Sequence, residues 1–161
     1  MIRAATEADI PAIMEVWNPI IRDTAITFTD EEKTAPGLAA TLAEKRAAGH
    51  AFLVAEEDGR VMGLATFGQF RGGRGYRHTY EHTVLLAPQA RGRGIGRQLM
   101  EAVEQAAAAA GGHTIFAGVS AENPVGIGFH AALGYAEVAR LSEVGFKFGR
   151  WIDLVLMQKH L

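Results

Sequence analysis

The residues best equipped for chemistry stand together in Arg91-Gly92-Arg93-Gly94-Ile95-Gly96-Arg97. Glycines let a backbone approach a ligand with no Cβ in the way. The arginines add local positive charge. A helix starting here leaves first-turn N–H groups unpaired, with the positive end of its dipole beside them. Strand, glycine loop and helix in that order make an anion site, most often for phosphate or pyrophosphate. Two other phosphate patterns fail on these residues. No Gly-Lys-Ser/Thr follows, and Gly-x-Gly-x-x-Gly counted from Gly94 or Gly92 ends on Leu99 or Arg97. A glycine-rich turn with exposed arginines is the plainer alternative.

Other chemistries are poorly supplied. There is no cysteine, hence no disulfide, no thiolate nucleophile and no Cys-based metal site. His78 and His82 are four apart, which on a strand is about 13 Å, too far to share an ion. His50, His113 and His160 have no companion at ligand spacing, so no metal is expected.

The elements that must position these groups read as mixed α/β. Ile2 to Ala5 suits a short strand, and Thr6 with Asp9 suits a helix start ahead of Ile10, Ile13, Met14 and Trp17. Asn18-Pro19 is expected to break or kink that helix. A second helix spans about Thr34 to Ala48 and stops near Gly49. Strands follow at Ala51 to Glu56 and Val61 to Phe70, joined by a turn at Glu57-Asp58-Gly59-Arg60. After the glycine-rich loop Arg71 to Tyr76 comes a strand, Thr79 to Ala87. The helix from Ile95 to Ala110 carries Ile95, Leu99, Val103, Ala106 and Ala110 on one face. A buried strand at Thr114 to Val119, a helix near Pro124 to Leu133 and strands near Ala136 to Leu141 and Phe148 to Met157 complete the chain. No repeat or linker interrupts it, so 1–161 is expected to be one domain.

Composition narrows the class. The 161 residues are 48% hydrophobic and 21% charged, with net charge -2, so no domain-wide field draws the protein to nucleic acid. Arg71-Gly72-Gly73-Arg74-Gly75-Tyr76 superficially matches an arginine–glycine RNA-binding tract. Such tracts repeat in disordered, positively charged tails, and this one is single and short. No apolar run approaches the roughly 18 residues needed to span a bilayer, and Glu7 comes too early for a signal peptide. No membrane partner and a cytoplasmic location are expected.

Arg91-Gly92-Arg93-Gly94-Ile95-Gly96 resembles the Arg/Gln-x-x-Gly-x-Gly/Ala signature of the GNAT superfamily of N-acetyltransferases. The segment from Asn123 through Leu133-Gly134-Tyr135 resembles that family's Asn-to-Leu-Gly-aromatic stretch. Ala25-Ile26-Thr27-Phe28, Tyr76 to Val84, and Gly145 to Trp151 are similar to the phosphinothricin acetyltransferase branch. The resemblance implies an α/β (α+β) fold: a central, mixed but mostly antiparallel twisted sheet of about seven strands, flanked by about four helices. It also implies acetyl-CoA as cosubstrate, an amino-acid-like small-molecule amine as acceptor, and a homodimer.

Site residues follow from the same resemblance. The loop Arg91, Gly92, Arg93, Gly94, Ile95, Gly96 and Arg97 would hold the pyrophosphate, and Val84, Leu85, Leu86, Asn123 and His130 the rest of the coenzyme. An amine must be neutral to attack, and Glu81 is the candidate base; its alternative is a surface strand residue or half of an ion pair. The N–H around Leu85 would stabilise the oxyanion. His130, where many relatives carry tyrosine, is the candidate acid or simply a partner for coenzyme A; a helix residue partly facing the core is the alternative. Arg71 and Arg74 would clamp an acceptor carboxylate, with Phe28 and Tyr76 as walls; solvated arginines on an exposed loop are the alternative. A non-catalytic sensor that binds coenzyme A is the competing function. Without cysteine, transfer would be direct, in a ternary complex.

Overall fold

Asp58 and Gly59 both take positive φ, 50° and 74°, and close a two-residue hairpin between strands β2 (Phe52–Glu57) and β3 (Arg60–Gln69). Mirror-image turns of this kind match the twist of paired strands, which is why Asp-Gly is so effective there. The computed structural model describes all residues, 1–161. Its remaining strands are β1 (Ile2–Ala4), β4 (Thr79–Leu86), β5 (Thr114–Ser120), β6 (Ala136–Lys147) and β7 (Arg150–His160). The helices are α1 (Ile10–Asp23), α2 (Ala35–Ala48), α3 (Ile95–Ala109) and α4 (Pro124–Ala132).

All seven strands form one sheet in the order β1-β2-β3-β4-β5-β7-β6. Every neighbouring pair is antiparallel except β4 with β5. That mixed, mostly antiparallel sheet with four α-helices is the architecture expected. The two faces of the sheet carry separate cores. On one, Ile13, Val16 and Ile20 of α1 and Leu38 and Leu42 of α2 cover Val54, Leu64 and Leu85. On the other, Leu99, Met100, Val103 and Ala107 of α3 cover Ala65, Phe67, Tyr80 and Ile115. Burying each large apolar side chain contributes about 1.5–3 kcal/mol, so the two helix layers are held firmly against the sheet.

Three expectations need correcting. α1 runs unbroken through Pro19 to Asp23, because the buried face of Val16, Ile20 and Ile21 continues across the proline. The inward face of α3 is rotated from the expected one: Met100 and Ala107 are buried while Ala110 is exposed. β6 extends to Lys147 with a register irregularity between Leu141 and Gly145, where Glu143 takes φ 54°. An irregular stretch has no strict alternation to read, and the hairpin instead turns at Phe148-Gly149.

Candidate active site

β4 and β5 pair only from Thr79 opposite Thr114 to His82 opposite Ala117, although β4 continues to Leu86 and β5 to Ser120. Beyond His82 the strands part and open a cleft. Hydrogen bonding of β4 to β3 fixes which backbone groups face it. Phe70 N–H donates to Thr79 C=O and Ala87 N–H to Met62 C=O, so odd-numbered β4 residues point their amides at β3. Leu85 thus turns its N–H toward Leu64, away from the opening. Val84 and Leu86 present theirs to the cleft.

A cavity of about 560 Å³ fills the opening. Of the residues expected to hold coenzyme A, Val84, Leu85, Leu86, Arg91, Gly92, Gly94, Gly96, Arg97, Asn123 and His130 line it. Arg93 and Ile95 do not. Arg93 pairs with Glu57 at 2.8 Å, and Ile95 packs against the α3 core. Gly92 and Gly94 take φ of 72° and 78°, the left-handed region that costs other residues about 1–2 kcal/mol. A Cβ on Gly94 would meet no atom within 4 Å, because the position faces open space. Gly96 is glycine for packing: its Cβ would stand 3.1 Å from Leu86 and 3.3 Å from Phe129.

His130 lies under the cavity wall in a buried aromatic group. It stacks on His82 with centroids 5.1 Å apart, and both rings meet Tyr135 edge-on, at 5.6 Å from His82 and 5.3 Å from His130. Burial, with His130 adding to it, pushes the His82 imidazole down to about 3. Burial also lowers His130, against smaller opposing effects of the Gly126 carbonyl and Glu104. His130 Nδ1 lies 2.7 Å from Gly126 C=O, while its Nε2 and both nitrogens of His82 are buried without partners. A carbonyl only accepts, so the neutral His130 ring carries its proton on Nδ1 and leaves Nε2 as a bare acceptor.

Glu81 sits on the opposite face of β4, with Leu85, and is not part of the cavity wall. Its Cα partner on β5 is Phe116, which stacks on Phe70 at 4.6 Å. A Cβ on Gly118 would come 3.3 Å from Glu81 Oε1, so the glycine leaves room for the carboxylate. No ion pair or hydrogen bond engages that carboxylate, and desolvation raises its pKa above the usual range. Arg71, Arg74 and Tyr76 lie exposed on the loop before β4, where Arg71 covers the Tyr76 ring at 5.5 Å. Gln69 Nε2 donates to the carbonyls of Arg71 and Gly73, at 2.6 and 2.8 Å, and shapes the loop. Phe28 is half-buried against Gly145.

Sequence reasoning missed several contributors. Ile20 and Ile26, from α1 and the loop after it, line the cavity, and no spacing rule connects them to the glycine loop. No spacing rule ties His82 to His130, the ring it stacks on, which is 48 residues away on another element. No helix is long and apolar enough to cross a membrane, and no group of three or more His, Cys, Asp or Glu residues could hold a metal ion.

An arginine-flanked glycine loop at a helix N-terminus and apolar walls at Val84, Leu86 and Phe129 fit a ligand with a pyrophosphate end and a long, thinner arm. Comparison with known proteins agrees. Residues 14–135 match the Acetyltransferase (GNAT) family. The chain is 39% identical over 160 residues to the L-amino acid N-acyltransferase MnaT of Escherichia coli, covering 99% of this chain and 93% of that one. It is 38% identical to an L-methionine sulfoximine/L-methionine sulfone acetyltransferase of Salmonella typhimurium, covering 99% and 94%. A phosphinothricin acetyltransferase from Sinorhizobium meliloti, crystallised with acetyl-CoA, superposes with a TM-score of 0.94 at 30% identity, covering 100% of this chain and 88% of that one.

Proposed function

The chain belongs to the acetyltransferase (GNAT) family, and on that premise we propose that it acetylates the α-amine of a small amino-acid-like molecule, of the methionine sulfone, methionine sulfoximine or phosphinothricin kind. The enzyme is an acetyl-CoA-dependent N-acetyltransferase. The observation that carries the acceptor class is near full-length similarity to two enzymes named for amino-acid substrates, joined to an unpaired carboxylate, Glu81, beside the parted strands.

Arg91, Arg97 and the open amides from Gly92 to Gly96 would hold the pyrophosphate, and the Val84 and Leu86 backbone with Phe129 the arm. Bound there, acetyl-CoA supplies an activated acetyl carbonyl. Glu81 takes a proton from the acceptor ammonium, directly or through water, and its raised pKa brings it nearer to that task than an ordinary carboxylate. The N–H groups of Val84 and Leu86, facing the cleft, are better aimed at developing negative charge than that of Leu85. His130 borders the cavity, and its neutral ring keeps a bare, buried Nε2 that can only accept. Arg71 and Arg74, exposed on the loop before β4, would engage the acceptor carboxylate, with Tyr76 and Phe28 as walls. With no cysteine to carry an acyl group, transfer is direct.

The exposed apolar stripe Val144, Phe146, Phe148 and Trp151 on the β6–β7 hairpin supports a homodimer. Sedimentation reads that state. Thiol release from acetyl-CoA with methionine sulfone, methionine sulfoximine and phosphinothricin tests the function. Release with any of them supports it. Silence with all three, while acetyl-CoA still binds, moves the protein to a non-catalytic acyl-CoA sensor.

A further inference from the structure

Lys147 is buried, at 3% exposure, between strand neighbours Phe146 and Phe148 that are both more than half exposed. No carboxylate lies within ion-pairing distance of it. Instead its Nζ donates to the carbonyls of Thr24, at 2.6 Å, and Thr27, at 2.8 Å. Asp30 offers only a partial countercharge from beyond pairing distance, and burial outweighs it in lowering the Lys147 pKa, so the buried ammonium is costly where an apolar residue of similar size would not be. Here the cost has a geometric return. Thr24 and Thr27 bracket Ile26, which lines the cavity, while Thr24 Oγ1 donates to the carbonyl of Ile20, another cavity residue, at 2.6 Å.

A second, independent contact fixes the same segment to the same strand. Gly145, two residues before Lys147 and on the same face of β6, lies directly beneath the Phe28 ring. A Cβ there would fall 2.5–2.7 Å from three ring carbons, so only glycine allows the ring to seat. The loop after α1 is therefore clamped to β6 twice, by an ammonium that holds the chain on both sides of Ile26 and by the Phe28 ring seated on glycine just beyond.

We propose that Lys147 is a positioning residue that holds residues 24–28 as the acceptor-side wall of the cleft, with Ile26 and Phe28 as the surfaces it sets. The proposal rests on the acceptor reading above for the identity of the wall, and on geometry alone for the clamp. Through Ile20 and Ile26 the wall is apolar, so it suits an acceptor whose side chain begins with methylenes.

The test compares Lys147→Met, of similar length but without donors, with the parent enzyme. Hydrogen exchange of the 24–28 amides in the ligand-free protein should accelerate by about tenfold or more while β3, β4 and α3 stay unchanged. The acceptor KM should rise by about tenfold or more, with kcat within about threefold and acetyl-CoA affinity unaltered. Gly145→Ala, which lifts Phe28 and leaves Lys147 in place, should give the same KM pattern and serves if Lys147→Met does not fold. Unchanged exchange at 24–28 overturns the clamp. Faster exchange with an unchanged acceptor KM overturns the wall. A parent enzyme that acetylates no amine would refute the acceptor reading, and the exchange result would still decide the clamp.

Discussion

The Nδ1 of His130 sits 2.7 Å from the carbonyl oxygen of Gly126, one helical turn earlier, and that contact decides which ring nitrogen is free to act. A carbonyl has no proton to give, so Nδ1 bears the ring's proton and Nε2 keeps its lone pair. Burial also makes His130 a poor place for positive charge.

The first prediction concerns that ring. Nitrogen NMR of the ligand-free protein should find His130 uncharged at pH 7, protonated on Nδ1, and still uncharged below the ordinary histidine value of about 6.5. His82 should stay neutral to far lower pH. An Nε2–H tautomer or an imidazolium at pH 7 would reverse the assignment of Nε2 as acceptor.

Glu81→Gln should lower kcat by about 10²–10⁴ and leave acetyl-CoA affinity unchanged, since the carboxylate is outside the cavity wall. The acidic limb of the parent's kcat/KM profile should lie above the range of an exposed carboxylate. Stability should move the other way. A folded-state pKa above the unfolded one stabilises only at low pH, and that contribution is lost as pH rises through the folded value. At pH 7 the ionised Glu81 is therefore a liability, so Gln should hold or raise Tm.

At the glycine loop, Gly94→Ala should cost about 1–2 kcal/mol in backbone strain and weaken acetyl-CoA binding, because its methyl enters the open cavity. Gly49→Ala is the control. Gly49 also has positive φ and open surroundings, but it ends α2 away from the cavity. A similar fall in Tm without change in affinity is expected there. Calorimetric titration checks both.

Acid should unfold the protein in two overlapping windows. His82 binds a proton readily only when unfolded, so its contribution is present above about pH 6.5 and is lost as pH falls toward about 3. Asp9, held well below the carboxylate range by two 2.8 Å bonds from Arg3 and one from Thr6 N–H, keeps its stabilisation until below about pH 4. His82→Phe should flatten the first loss. Asp9→Asn should cost about 2 kcal/mol at pH 7 by breaking the Arg3 pair, read by urea denaturation.

Local chemistry made much of this legible in the sequence. Thr34 caps α2 through Gly37 N–H, Gly49 ends it at φ 69°, and Asp58-Gly59 turns the hairpin, each where residue type alone placed it. The period-two alternation of a strand puts Glu81 and Leu85 on one face of β4 and Tyr80 and His82 on the other, and the two cores divide Leu85 from Tyr80 in the same way. What was hidden depends on long-range placement. Pro19 reads as a breaker until the core beneath α1 is known. Which N–H around Leu85 faces the cleft is open in the sequence, and the β3 ladder turns those of Val84 and Leu86 toward it. Nothing in the spacing around Lys147 points to Thr24 and Thr27, more than a hundred residues earlier, whose carbonyls take its amine.

The most direct measurement supplies isotopically labelled acetyl-CoA with L-methionine sulfoximine and follows the label by NMR and mass spectrometry. The account predicts one acetyl group on the α-nitrogen per thiol released, with no label left on the protein. Label elsewhere on the acceptor, label retained by the protein, or no transfer from bound acetyl-CoA to this or any related amino acid would contradict it.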